Sequence, residues 1–170
     1  PALGAIYDGA GYGPDGTIWG GELLAGGLGG YERVGMLWPT RLPGGAAAIR
    51  EPWRMACSWL ITATGEPEPP RPASLVAQVD ERSWSEVCEL LRTGVASPPT
   101  TSMGRLFDAV AAICGLRARV NFEGQAAVEL EAVADPAEKG AYPLELVESD
   151  GLLLDVRELV RAVAGEVASG

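Results

Sequence analysis

The sequence predicts a mixed α/β protein of the α+β kind: a β-meander of about three strands over residues 1–42, then a mainly helical part over 43–170. Three observations predict it. Short apolar segments punctuated by glycine turns are concentrated before residue 42. Beyond it, apolar residues recur at helical spacing in several segments. The apolar share, 47% of 170 residues, is enough for a sizeable core in one domain.

The strands come first. Residues 2–7 (ALGAIY) are apolar and stop at Asp8-Gly9, which reads as a buried strand. Residues 17–25 (TIWGGELLA) read as a second strand, with Gly20-Gly21 marking a bulge or a close backbone approach. Between them, Gly13-Pro14-Asp15-Gly16 is strong turn chemistry, so the two strands make a hairpin. Residues 31–41 (YERVGMLWPTR) supply the third strand, with Val34, Met36 and Trp38 on one face.

The helices follow. Ile49, Trp53, Ala56 and Leu60 recur at helical spacing. Pro52 is tolerated only in a first turn, so the helix begins or kinks near Glu51, and Gly65 ends it. Residues 66–72 (EPEPPRP) read as an exposed proline-rich loop. A helix over 83–92 is expected to be capped by Ser83. In the next, 103–114, an apolar stripe runs through Met103, Leu106, Phe107, Val110 and Cys114, with Thr101 or Ser102 as cap. Asp108 lies opposite that stripe, which predicts a solvated position. Helices over about 124–134 and 156–168 complete the set. The last is expected to be capped by Asp155, with Glu158 closing a capping box. Residues 140–147 (GAYPLELV) fit a short strand. A three-stranded sheet is small for this length, and the first residue is Pro. The sequence is therefore expected to be a piece of a longer chain.

Charge and composition narrow the function. The net charge is −10 and no Lys/Arg stripe occurs, which argues against nucleic-acid partners and anionic membranes. No apolar run approaches the ~18 residues of a membrane span, and no signal peptide is visible. A cytoplasmic protein is expected. Cys57, Cys88 and Cys114 form no CxxC pair and read as small buried thiols in a reducing compartment. The absence of histidine removes the serine triad, the Cys-His pair and the usual zinc sites. Any chemistry must rest on carboxylates, backbone amides, bound ions or groups from elsewhere.

The stretch Asp8–Glu22, DGAGYGPDGTIWGGE, carries the sharpest signal. Its simplest reading is a hairpin turn. A strand ending in Asp-Gly-x-Gly also places a carboxylate beside unobstructed backbone N–H groups. Such amides cradle phosphate oxygens, and the carboxylate can hold a divalent cation bridging to them. No GK[ST] follows and no helix succeeds the loop, so this is neither a Walker loop nor a dinucleotide fingerprint.

Four blocks, DGAGYGPDGTIWGGE (8–22), LPGGAAAIREPWRMA (42–56), TTSMGRLFDAVAAICGL (100–116) and NFEGQAAVELEAVAD (121–135), together resemble the HypF carbamoyltransferases of nickel–iron hydrogenase maturation. They match, in order, its actin-like nucleotide-binding carbamoyltransferase domain. The resemblance implies a two-lobed actin-like fold with ribonuclease-H-like sheets, this chain being the start of the second lobe. It implies ATP and carbamoyl phosphate as the source of carbamoyl-adenylate, and transfer of the carbamoyl group to the C-terminal cysteine of a HypE-type partner. By the same resemblance, Asp8 is one ligand of a divalent metal or iron ion whose histidine ligands lie upstream. Gly9 and Gly11 lie near phosphate and carbamoyl, Asp108 binds the nucleotide ribose, and Gly124 with Gln125 lines the nucleoside pocket. The usual first block reads DGTGYG; Ala10 here lacks the hydroxyl and its hydrogen bond. The implied ligand set is incomplete within this sequence, so the chain by itself is expected to be inactive. Two other readings stand beside it: an O-carbamoyltransferase acting on a small hydroxylated acceptor, and a non-catalytic interaction module on the same fold.

Overall fold

The computed structural model describes residues 2–169. Strands β1 (Ala2–Tyr12), β2 (Ile18–Gly27) and β3 (Gly30–Leu37) form the antiparallel meander. At the β1–β2 turn, Gly13 N donates to Thr17 O and Gly16 N donates to Gly13 O. Gly16 has φ of 78°, a conformation that only glycine takes without steric cost. Asp15 saturates the turn: Oδ1 accepts from Thr17 N at 3.0 Å, Thr17 Oγ1 at 2.7 Å and Trp19 Nε1 at 2.9 Å. Its Oδ2 accepts from Arg33 Nη2 at 2.8 Å, and Arg33 stacks 4.4 Å over the Trp19 ring. The β1–β2 register breaks between Tyr7 and Gly11, which releases Asp8-Gly9-Ala10 from the ladder. The sequence reading of residues 2–7 as buried does not hold. α4 meets β1 at Asp8 and Gly9, while Leu3 and Ile6 are left exposed.

The meander is the centre of a larger sheet than the sequence suggests. β4 (Thr40–Arg41), β5 (Pro99–Thr100), β6 (Glu145–Ser149) and β7 (Gly151–Asp155) extend it to seven strands, ordered β4-β5-β2-β3-β7-β6, with β1 also on β2. β5 joins β2, and β7 joins β3, in parallel; the other pairs are antiparallel. The strand expected over 140–147 begins at Glu145, and a second strand follows its turn at Asp150.

Among the described residues there are six α-helices: α1 (Ala46–Arg50), α2 (Pro52–Thr64), α3 (Glu81–Thr93), α4 (Met103–Ile113), α5 (Gln125–Val133) and α6 (Arg157–Ser169). Pro52 opens α2, and Gly65 closes it in the left-handed conformation with its N–H on Ile61 O. Residues 66–72 hold no helix or strand; within them Pro69 is buried, its carbonyl accepting from Trp84 Nε1 at 3.0 Å. The core is built from Trp53, Met55 and Trp59 of α2, Leu106 and Ile113 of α4, Val160 of α6, and Leu37 and Leu154 of the sheet. Each such side chain contributes about 1.5–3 kcal/mol by leaving water.

Several local expectations change. α3 is capped by Asp80, whose carboxylate accepts from Ser83 N at 2.9 Å and Ser83 Oγ at 2.7 Å. Ser83 is therefore the partner of the cap and stands inside the helix. α4 is capped by Ser102. At α6, Asp155 Oδ1 accepts from Arg157 N at 3.0 Å, but Glu158 pairs with Arg161 instead of reaching back to form a box. Cys57 and Cys88 are buried with their sulfurs 3.4 Å apart, whereas Cys114, in the C-cap of α4, is exposed. No helix among the described residues is long and apolar enough to cross a membrane.

Candidate functional site

β1 and the start of α4 meet at unusually short range. A Cβ on Gly104 would lie 2.8 Å from Gly9 Cα and 3.1 Å from Asp8 O, so only glycine permits this contact. Gly20 serves the same junction from β2, where a Cβ would stand 2.5 Å from Asp8 O. Ser102 Oγ ties the pieces together: it donates to Asp8 O at 3.0 Å and contacts Gly9 O, while accepting from Arg105 N at 3.2 Å. Beneath this lies Glu22. It is buried, and its Oε2 accepts from Gly20 N at 2.7 Å and Gly21 N at 2.8 Å, while Oε1 accepts from Thr101 Oγ1. Glu22 thus fastens the glycine bulge of β2 to the approach of α4.

Against this junction opens a cleft of about 370 Å³. Tyr7, Asp8 and Gly9 line it from β1, Gly104, Arg105, Phe107 and Asp108 from α4, and Glu123 and Gly124 from the turn before α5. Gly124 has φ of 83°, which bends that turn back over α4. An apolar groove between α4 and α5 continues the cleft, sharing Phe107 and Ala127 with it.

Asp108 does not lie on a solvated face as its helical position predicts; it is 2% exposed, because β1 and the turn at Glu123-Gly124 border it. Phe107, expected in the core stripe, takes the exposed position at the cleft's rim. Arg105 is equally buried, with its Nε 3.1 Å from Asp108 Oδ2 and its Nη2 4.0 Å from Glu123 Oε1. The Arg105–Asp108 pair is close in charge but misaligned for hydrogen bonding: Arg105 Nε and Nη1 and Asp108 Oδ2 have no partner. Burial raises the Asp108 carboxyl to about 6; Arg105 opposes that rise and Glu123 adds to it.

Four of the six residues singled out in the sequence, Asp8, Gly9, Asp108 and Gly124, therefore converge on one cleft. The other two do not line it. Gly11 sits beyond the bulge with open space around it. Gln125 is turned into the structure, its Oε1 accepting from Asn121 N at 2.8 Å and its Nε2 donating to Glu129 Oε1 at 2.9 Å. Asp8 Oδ1 accepts from Gly9 N at 2.6 Å, and among the described residues Oδ2 accepts no hydrogen bond. Among the described residues no three carboxylate, thiol or imidazole groups cluster as a metal site. Asp8 is the cleft carboxylate at the break in the β1 register, and by itself it makes no metal site. Sequence reasoning missed Glu22, Ser102 as a strand anchor, and Arg105. Only Arg105 had a legible signal, a charge inside an otherwise small and apolar helix start.

The fold that holds this junction is shared with a family of known proteins. Residues 4–170 match the family model described as "Carbamoyltransferase, Kae1-like Domain, second subdomain", and the chain belongs to that family. The particular relatives are HypF proteins. Carbamoyltransferase HypF of Rhizobium leguminosarum bv. viciae is 38% identical over 96% of this chain and 21% of its own length. A HypF homolog of Cupriavidus necator is 39% identical over the whole of this chain and 44% of its own length. Among solved structures, full-length HypF in the phosphate- and nucleotide-bound form superposes with a TM-score of 0.86 at 36% identity, covering 99% of this chain and 22% of that one. HypF of T. kodakarensis follows with a TM-score of 0.73 at 26% identity, covering 99% of this chain and 23% of that one. The chain thus spans between about a fifth and under half of the length of these relatives, and its fold is that of the corresponding part of HypF.

Proposed function

We propose that residues 1–170 form part of the second lobe of a cytoplasmic carbamoyltransferase domain, which binds carbamoyl-adenylate in the cleft between β1 and α4. In this reading the meander over 1–42 carries the ligand loop, 43–170 supports it, and 66–72 is a surface connection. The observation that carries the reading is the convergence of Asp8, Gly9, Asp108 and Gly124 on one cleft. Asp108 keeps an unpartnered oxygen and accepts hydroxyl hydrogen bonds from the ribose. Gly9 and Gly124 let the ligand approach the backbone, and the groove bordered by Phe107 and Ala127 takes the flat face of the base. Gly11 and Gln125 act one step away, Gly11 in the loop's path and Gln125 by fixing the turn that carries Gly124.

Asp8 supplies one ligand of a divalent metal or iron ion, which when bound adds positive charge beside the phosphoryl and carbamoyl groups. The acceptor is the C-terminal cysteine thiolate of a HypE-type protein. The thiolate attacks the carbamoyl carbon, a C–S bond forms, the C–O bond to the phosphoryl group breaks, and AMP leaves with the electron pair. The HypF relatives, named carbamoyltransferases, and a HypF structure in a nucleotide-bound form support this choice over an O-carbamoyltransferase or a non-catalytic module. The test is calorimetric titration of AMP into the intact protein. Asp108→Ala is expected to weaken AMP at least tenfold, by removing a buried acceptor. Unchanged affinity would remove the nucleotide from this cleft. The chain alone is expected to give no carbamoyl transfer to thiols; measurable turnover would show that a complete site lies within it.

A further inference from the structure

The cleft holds one feature that a ribose acceptor does not use. Arg105 is a cation whose side chain is 2% exposed, yet its Nε and Nη1 find no acceptor. Buried cations are ordinarily paired and hydrogen-bonded, because each donor lost to water costs free energy. Neither nearby carboxylate does this: Asp108 Oδ2 is 3.1 Å from Nε but off its line, and Glu123 Oε1 is 4.0 Å from Nη2 on a side chain 61% exposed. The surroundings sharpen the point. The other charged residues lining the cleft are Asp8, Asp108 and Glu123, three carboxylates that repel an anion. Arg105 is the single cation there among the described residues, and it stands in the first turn of α4, where the helix dipole is positive. Gly9 of β1 borders the guanidinium, where a Cβ would stand 3.7 Å from Arg105 Nη2 and 2.9 Å from Glu123 Oε1.

We propose that Arg105 is an oxyanion-binding residue of this cleft, its under-paired guanidinium turning to a phosphoryl oxygen and so selecting phosphorylated nucleosides over plain ones. The proposal rests on the nucleotide reading above. Arginine is suited to the task because charge-assisted N–H···O bonds to phosphate are about twice as strong as neutral ones.

The test is calorimetry on the intact protein with adenosine, AMP and pyrophosphate as separate probes, for the parent, Arg105→Gln and Arg105→Lys. The parent is expected to bind AMP more tightly than adenosine. Arg105→Gln is expected to weaken AMP and pyrophosphate roughly 10- to 100-fold and leave adenosine unchanged. Arg105→Lys, which keeps the charge but not the planar fork, is expected to retain part of the AMP affinity. If adenosine and AMP weaken by the same factor, Arg105 only positions Asp108 and the proposal fails. It fails equally if AMP and pyrophosphate are unaffected. Should Arg105→Gln not fold, as read by its melting profile, Arg105→Lys carries the test by the same criterion: loss confined to the phosphorylated probes. A parent that binds pyrophosphate through Arg105 but neither adenosine nor AMP keeps the oxyanion site and removes the nucleotide reading.

Discussion

Asp15 in the β1–β2 turn and Asp108 in the cleft are the same residue type handled in opposite ways. Asp15 is partly exposed and accepts from Thr17, Trp19 and Arg33. Its slight burial pushes its carboxyl up, but the Thr17 and Trp19 hydrogen bonds and the Arg33 charge outweigh that and hold it at about 2. Asp108 is buried beside an arginine, yet Oδ2 accepts nothing, and its carboxyl rises to about 6. Proximity of a cation is not what separates them, since both have one. The difference is burial, which raises Asp108 far more than Asp15, together with the hydrogen bonds that hold the charged form of Asp15 and that Asp108 Oδ2 lacks. The turn uses its acceptor capacity in holding the chain; the cleft leaves that capacity for a ligand.

The comparison can be broken at either end. The largest effect is expected at Asp108. Its folded pKa lies above the unfolded value of 3.8, so the native state holds the proton longer. The parent's stability from this group is full below about pH 4 and is lost as pH rises through about 6. Asp108→Asn mimics the protonated form and should gain on the parent by roughly 2–3 kcal/mol between pH 4 and pH 7 in urea denaturation of the isolated domain. A pH-independent difference would show that Asp108 is ionised at little cost. Next comes Asp15→Ala, expected to cost about 2 kcal/mol at pH 7 for the turn's hydrogen bonds. Its sign is opposite: the Asp15 contribution is present above pH 3.8 and fades as pH falls towards about 2. The smallest effect belongs to Glu123→Gln. Removing that exposed charge should lower the Asp108 pKa in an NMR titration while changing stability by under about 1 kcal/mol. An unmoved titration would leave burial as the sole source of the rise.

The turn was the legible region and the cleft the opaque one, for one reason. Gly13-Pro14-Asp15-Gly16 declares itself within a few residues, as do Pro52 at the start of α2 and Gly65 at its end. Asp8, Gly9, Asp108 and Gly124 could be named from family blocks, but their meeting depends on Gly104 sitting against Gly9, across nearly a hundred residues of chain. The burial of Asp108 and Arg105 was invisible for the same reason: helical position shows which face a residue is on, not what another segment lays over it. β4 and β5 are too short to carry any periodicity. In β7, the continuous GLLLD run has no alternation to tell a strand from a helix.

The parallel pairing of β3 with β7, Gly35–Leu37 alongside Leu152–Leu154, has a consequence in time. β3 is synthesised well before its parallel partner, so one of its edges stays open until residues 152–154 follow. Closing a loop of that span is an entropic search, and pairings so distant in sequence set slow folding rates. Until β7 pairs, β3 keeps an edge of unpaired backbone N–H and C=O groups.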